Sequence, residues 1–223
     1  MVVPIIMAVV MGIGHYYSQE FCTQCRKNGI KITSFAAGVA VSYLFLELFP
    51  NFSSAAMQEN RFLFLMILSG FVIFHIIEKY IYKRAPKDKL LRDLALEDSV
   101  ISFAYHVLVG IVLVNFFEVS LLKAVLFFVP IFFYTAVSTL PVDPSKYKWV
   151  KIVLSSSTLI GVLFGMFIPI PILLTNVIIG FVIGTMIYTV IRHSIPFEKE
   201  GEPLIFAVGV ILYSAFIVWT WLV

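Results

Sequence analysis

Charge is scarce in this chain. Asp, Glu, Lys and Arg together make up 13% of its 223 residues, hydrophobic residues make up 61%, and the mean hydropathy is +1.00. That leaves too little polar surface to cover a soluble globule of this size. Catalytic signatures are missing as well. No apolar stretch holds an HExxH, a GxSG or paired aspartates, so hydrolysis and prenyl transfer have no visible machinery and no enzyme is expected. The N-terminus lacks a basic run and a small-residue cleavage site before His15, which argues against a removable signal peptide. The net charge of +3 sits in short linkers and needs no nucleic acid to explain it.

What is present is apolar length. Eight stretches stand out: Val2–Tyr17, Ile32–Phe49, Phe62–Tyr82, Val100–Phe117, Leu121–Leu140, Trp149–Ile168, Pro171–Ile191 and Leu204–Val223. Each is near the roughly 20 residues that cross a hydrocarbon core. The expectation is an all-α, multi-pass protein of the plasma membrane, a single domain over 1–223 whose first partner is the lipid bilayer. Of the 16 Lys and Arg residues, only Arg61 and Lys123 fall in the second, fourth and sixth linkers; the rest lie in or beside the odd ones. The positive-inside rule then puts the odd linkers in the cytoplasm and both termini outside. Tyr16, Tyr17, Tyr80, Tyr82, Tyr147, Trp149, Trp219 and Trp221 gather at span ends, as an interfacial belt should.

Two linkers carry further features. Cys22 and Cys25 form a CTQC in the first, read either as a short exposed loop or, with His15 as a third ligand, as a partial metal or redox site. The stretch from Lys79 to Asp98 mixes both charge signs without a histidine, and reads as a solvated, partly helical connector.

The second and seventh spans share a frame. Gly38 through Glu47 to Pro50 can be laid without a gap on Gly184 through His193 to Pro196. Each begins at a small residue that permits close helix approach and ends at a proline expected to terminate the helix. The span that follows carries an internal glycine in both cases, Gly70 and Gly209. Because the two spans run in opposite directions, residues 1–82 and 149–223 are expected to be inverted repeats flanking a central pair at 98–141. Inverted repeats are a recurrent device of secondary transporters.

At these residues the chain resembles the ZIP family of zinc and iron transporters. The run from Ser34 to Pro50 is similar to that family's second span, with Glu47 where a histidine is usual. Gly70 through His75 to Glu78 and Lys79 resembles the end of the third, and Gly184–Pro196 the seventh, with His193 at an acidic position. The resemblance implies eight spans in a 3+2+3 arrangement, outward termini and a divalent metal as cargo; a homodimer is compatible with it.

The family's metal centre is where this sequence departs. The fourth-span motif, His-Asn-x-x-Asp/Glu-Gly, is best fitted by Tyr105, His106, Val109 and Gly110. The fifth-span motif is best fitted by Phe127, Phe128, Pro130 and Ile131, or in another register by Tyr134, Thr135 and Ser138. Phenyl and aliphatic groups cannot replace the hydration shell of a divalent ion. The space between the fourth and fifth spans is therefore expected to be largely apolar, with no binuclear zinc site and no certain cofactor.

The transport-path candidates are His106, Glu47, His193, His75, Glu78 and Tyr105, because ionisable groups inside a membrane are costly. His106 reads either as a proton acceptor or lone metal ligand, or as a neutral imidazole held by the Ser155–Thr158 run. His75 and Glu78, three apart, read as an inner-mouth pair or as residues snorkelling beside Lys79. Glu47 and His193 read as equivalent gate residues or as charges placed cheaply at helix ends. Asn115 and Glu118 read as a helix cap or an ion pair near Lys123. The leading reading is a ZIP-like transporter. Its rivals are a non-metal or proton-linked solute carrier, and a ZIP-derived membrane protein that acts through partners without transport. The charge count makes one direct prediction: a cysteine introduced in the Pro50–Arg61 linker will be labelled from outside intact cells, and one at Pro86–Arg92 will be protected. The reverse pattern would sink the orientation.

Overall fold

The computed structural model describes residues 2–24, 29–84, 90–137, 148–190 and 201–222. All described elements are helical, with no strand among the described residues. In chain order they are α1 (Val2–Gln24), α2 (Gly29–Tyr43), a π-helical turn (Leu44–Leu48), α3 (Phe49–Glu59), a 3₁₀ turn (Arg61–Leu63), α4 (Phe64–Arg84), α5 (Leu90–Val119), α6 (Leu121–Val137), α7 (Lys148–Phe167), α8 (Ile172–Thr189) and α9 (Pro203–Leu222). Five segments are long and apolar enough to cross a membrane: Gly29–Glu59, Arg61–Lys83, Ser99–Val119, Ile172–Thr189 and Pro203–Leu222. Val2–Ser18, Leu121–Ala136 and Lys151–Phe167 are shorter apolar helices.

Two expectations need correction. Pro50 does not end the second span. It sits at the start of α3, and the π-helical turn joins it continuously to α2. The Phe49 N–H reaches back to Leu44 O, and the Asn51 side chain donates to the Glu47 carbonyl at 2.7 Å. The linker from Pro50 is accordingly helical as far as Glu59. Nor is the start of the CTQC a loop, because α1 continues through Cys22 to Gln24.

Helix pairing is governed by glycine. A Cβ at Gly38 would collide with the Phe206 carbonyl of α9, and one at Gly209 with the Phe35 carbonyl of α2. A Cβ at Gly70 would strike the Phe181 carbonyl of α8, and one at Gly184 the Ile67 carbonyl of α4. So Gly38 and Gly209 bring α2 against α9, and Gly184 and Gly70 bring α8 against α4. A third pair, Gly110 and Gly161, does the same for α5 and α7: their Cβ positions fall on the Thr158 and Val107 carbonyls. Backbones approach this closely where a glycine stands at the contact.

The frame shared by the second and seventh spans extends to their backbone and burial. Register with Leu44, where the π-helical turn begins, falls on Val190, the residue that caps α8. The 18-residue apolar windows within Gly29–Glu59 and Ile172–Thr189 are each 56% buried, against 22% for that of Arg61–Lys83 and 17% for that of Pro203–Leu222. The α2–α3 segment and α8 are thus the enclosed helices, α4 and α9 the peripheral ones.

The core runs between these pairs. Tyr43, Leu48, Val109, Leu113, Phe127, Ile131, Val162 and Ile183 are almost wholly buried in it. Pro130 lies inside α6, where it deprives the Leu126 carbonyl of its helical donor. The Tyr213 hydroxyl of α9 takes that place at 2.8 Å.

The glycine contacts are directly testable. Gly184→Ala or Gly209→Ala is expected to destabilise the protein by about 1–3 kcal/mol through overpacking. At Gly29 a Cβ meets nothing within 4 Å, and alanine there should be neutral or slightly stabilising. Thermal unfolding in detergent measures all three variants; equal melting temperatures would refute the packing argument.

Candidate functional site

Tyr105 and His106 lie in α5, both buried. The Nδ1 atom of His106 is 2.7 Å from the Ser102 carbonyl one turn earlier. A carbonyl only accepts, so Nδ1 carries the hydrogen and donates to it. That leaves a lone pair on Nε2, and the fully buried Thr135 hydroxyl of α6, 2.9 Å away, donates to it. The tautomer follows from the partners rather than from visible hydrogens.

A second imidazole completes the arrangement. His15 of α1 stacks on His106 with ring centroids 5.0 Å apart and planes 19° from parallel, and the Tyr105 ring meets His106 edge-on at 5.3 Å. The Leu154 carbonyl of α7 is within hydrogen-bonding reach of His15. Four helices thus converge on one pair of rings. Chemically the pair offers a neutral imidazole whose lone pair is held by a hydroxyl. If Nε2 takes a proton, Thr135 must turn from donor to acceptor, so a proton there reorients a side chain of another helix.

The surroundings are apolar on one side and hydroxylic on the other. Val109, Phe127 and Ile131 are packed into the core. The register that sets Tyr134 and Thr135 against the fourth span is the one that brings a polar atom to His106. The Ser155–Thr158 run does not hold His106, contrary to that reading of the sequence. Ser155, Ser156 and Ser157 each donate back to carbonyls of their own helix. Among the described residues no three His, Cys, Asp or Glu side chains gather in a way that could hold a metal ion.

The remaining candidates lie apart. Glu47, in the π-helical turn, accepts from Asn51 Nδ2 at 2.9 Å and from Trp221 Nε1 of α9 at 3.3 Å. His75 and Glu78 do not share an environment: His75 is exposed, stacked on Phe71 and edge-on to Tyr188, whereas Glu78 is buried. His193, Cys25 and the Cys22 side chain lie outside the described residues. Sequence reasoning missed the pairing of His15 with His106. The histidines stand 91 positions apart with no shared spacing pattern, and only α1 packing against α5 and α6 unites them.

No known protein family matches this chain, and no curated protein matches it significantly.

The Thr135 hydrogen bond generates a stability prediction. Thr135→Val keeps the shape and leaves the buried Nε2 unpaired, and is expected to cost about 1–3 kcal/mol. Thr135→Ser should recover most of it. Thermal unfolding of the three proteins decides; a valine variant as stable as the parent would mean that Nε2 finds another donor.

Proposed function

We propose that this chain is a multi-pass transporter of the plasma membrane, built of eight spans in the 3+2+3 arrangement of the ZIP family. In this reading residues 1–82 and 149–223 form inverted repeats and both termini lie outside. The observation that carries it is the crossed glycine pairing. Exchanging the repeats maps Gly38 onto Gly184 and Gly209 onto Gly70, and so turns the α2–α9 contact into the α8–α4 contact. A contact set that survives this exchange is what two equivalent halves need in order to swap inward-open and outward-open states. The bilayer itself fits the exposed apolar side chains of the peripheral helices, among them Phe62, Leu65, Leu68 and Ile76, and Leu204, Ile211, Leu212 and Leu222.

For the cargo, the donor set favours a proton-linked solute. Among the described residues the groups brought together are two imidazoles and the hydroxyls of Thr135 and Ser102, with no carboxylate, and His106 has one lone pair able to take a proton. Divalent metal transport is the second reading, favoured by the family resemblance and by the approach of His15 to His106. Proteoliposomes with a pH-sensitive dye inside and zinc or iron outside separate the two. Proton flux that falls at least about tenfold in His106→Ala, a loss of general acid–base action, supports the first reading. Metal uptake lost in the same variant, with proton flux unchanged, replaces it with the second. Neither flux from protein inserted in both orientations overturns transport and leaves a ZIP-derived protein that acts through partners.

A further inference from the structure

We propose that the C-terminal end of α5 carries a separate site that binds a small primary ammonium compound. A half-open cavity of about 250 Å³ lies between the ends of α5 and α7 and the start of α8. Ile111, Val114, Asn115, Glu118, Gly165 and Thr175 are among its walls. Asn115 and Glu118 stand nine and twelve residues beyond His106 on one helix, roughly 14–18 Å at helical rise, so this site is distinct from the histidine pair. The assignment does not depend on transport.

The cavity wall is divided by polarity. Ile111 and Val114 are buried and give it an apolar floor. The Glu118 carboxylate, the Asn115 carboxamide and the Thr175 hydroxyl supply its polar groups. Gly165 also lines the cavity, and its carbonyl lacks an α-helical donor, because the residue four positions on is Pro169, which has no N–H. No lysine, arginine or histidine is among the described residues lining the cavity.

One formal negative charge amid several acceptors matches a ligand with one positive charge and several N–H donors. A hard dication fits less well, because calcium sites use six to eight oxygens and several carboxylates, whereas this wall offers one. The volume exceeds a bare ion and falls below the roughly 300–1,000 Å³ of sites for drug-sized molecules. A short alkyl chain on the apolar floor, with its ammonium toward Glu118, uses both halves.

Calorimetric titration of the full purified chain in detergent with propylammonium chloride tests this. Saturable binding with Kd on the order of millimolar is expected for so small a ligand. Glu118→Gln should weaken it at least about tenfold, as removal of a charged acceptor does. Glu118→Lys, which carries its own ammonium into the site, should abolish it. Glu118 is exposed, so both variants should fold; melting temperatures near the parent's check this. Glu202→Gln, an exposed carboxylate beside the start of α9 and outside the cavity, should leave Kd unchanged. Absence of saturation, an equal response to 1-propanol, or an unchanged Kd in folded Glu118→Gln would each overturn the proposal. Displacement of propylammonium by equimolar calcium chloride would also overturn it, since the site would then be a general cation site.

Discussion

Backbone meeting backbone is the constraint on which the rest of this fold depends. In a hydrocarbon solvent, helices gain nothing from burying leucine against leucine, because lipid is as apolar as the side chain it replaces. What remains is contact area, and contact is greatest where side chains are absent. Gly38 with Gly209, Gly70 with Gly184 and Gly110 with Gly161 meet this need at three interfaces. Everything described above hangs on them. The α5–α7 approach brings the two helices beside the histidine pair together, while the two crossed pairs each hold an enclosed helix against a peripheral one.

A second demand of such a solvent is that polar backbone atoms find partners inside the protein. Proline is where this chain tests that demand. At Pro50 the helix widens to a π-helical turn and Asn51 bonds back to the Glu47 carbonyl, so the segment stays helical and carries an ionisable side chain in its widest turn. π-Helical turns inside helices recur at functional sites. At Pro169 the same chemistry leaves the Gly165 carbonyl without its α-helical donor.

Much of the fold was legible in the sequence because it is written in hydropathy and small residues. The apolar stretches overlap the helices closely, and the register that joined Gly38 to Gly184 and Gly70 to Gly209 names four glycines that make crossed contacts. Pro50 misled because the widened π-helical backbone just before it lets the helix continue past the proline. The candidate site was half legible. His106 stood out as an ionisable group deep in an apolar stretch, but its partner Thr135 belonged to a register weighed second, since a threonine in a helix has no periodic signature. His15 was assigned to the nearby cysteines by proximity in sequence. Its ring stacks on His106 inside the bundle, and no one-dimensional spacing encodes that.

The phenol of Tyr213 has a mechanical meaning. It ties α9 to the carbonyl that Pro130 leaves open in α6, and α9 is bound along its length to α2. A small displacement of the α2–α9 unit must therefore drag α6, with Thr135 at its far end, along with it. A larger one breaks the bond and strands the Leu126 carbonyl where water is not at hand to replace the lost donor, at a cost of about 1–3 kcal/mol. The joint thus behaves as a detent: it resists small excursions, releases past a threshold, and makes intermediate positions the least comfortable ones.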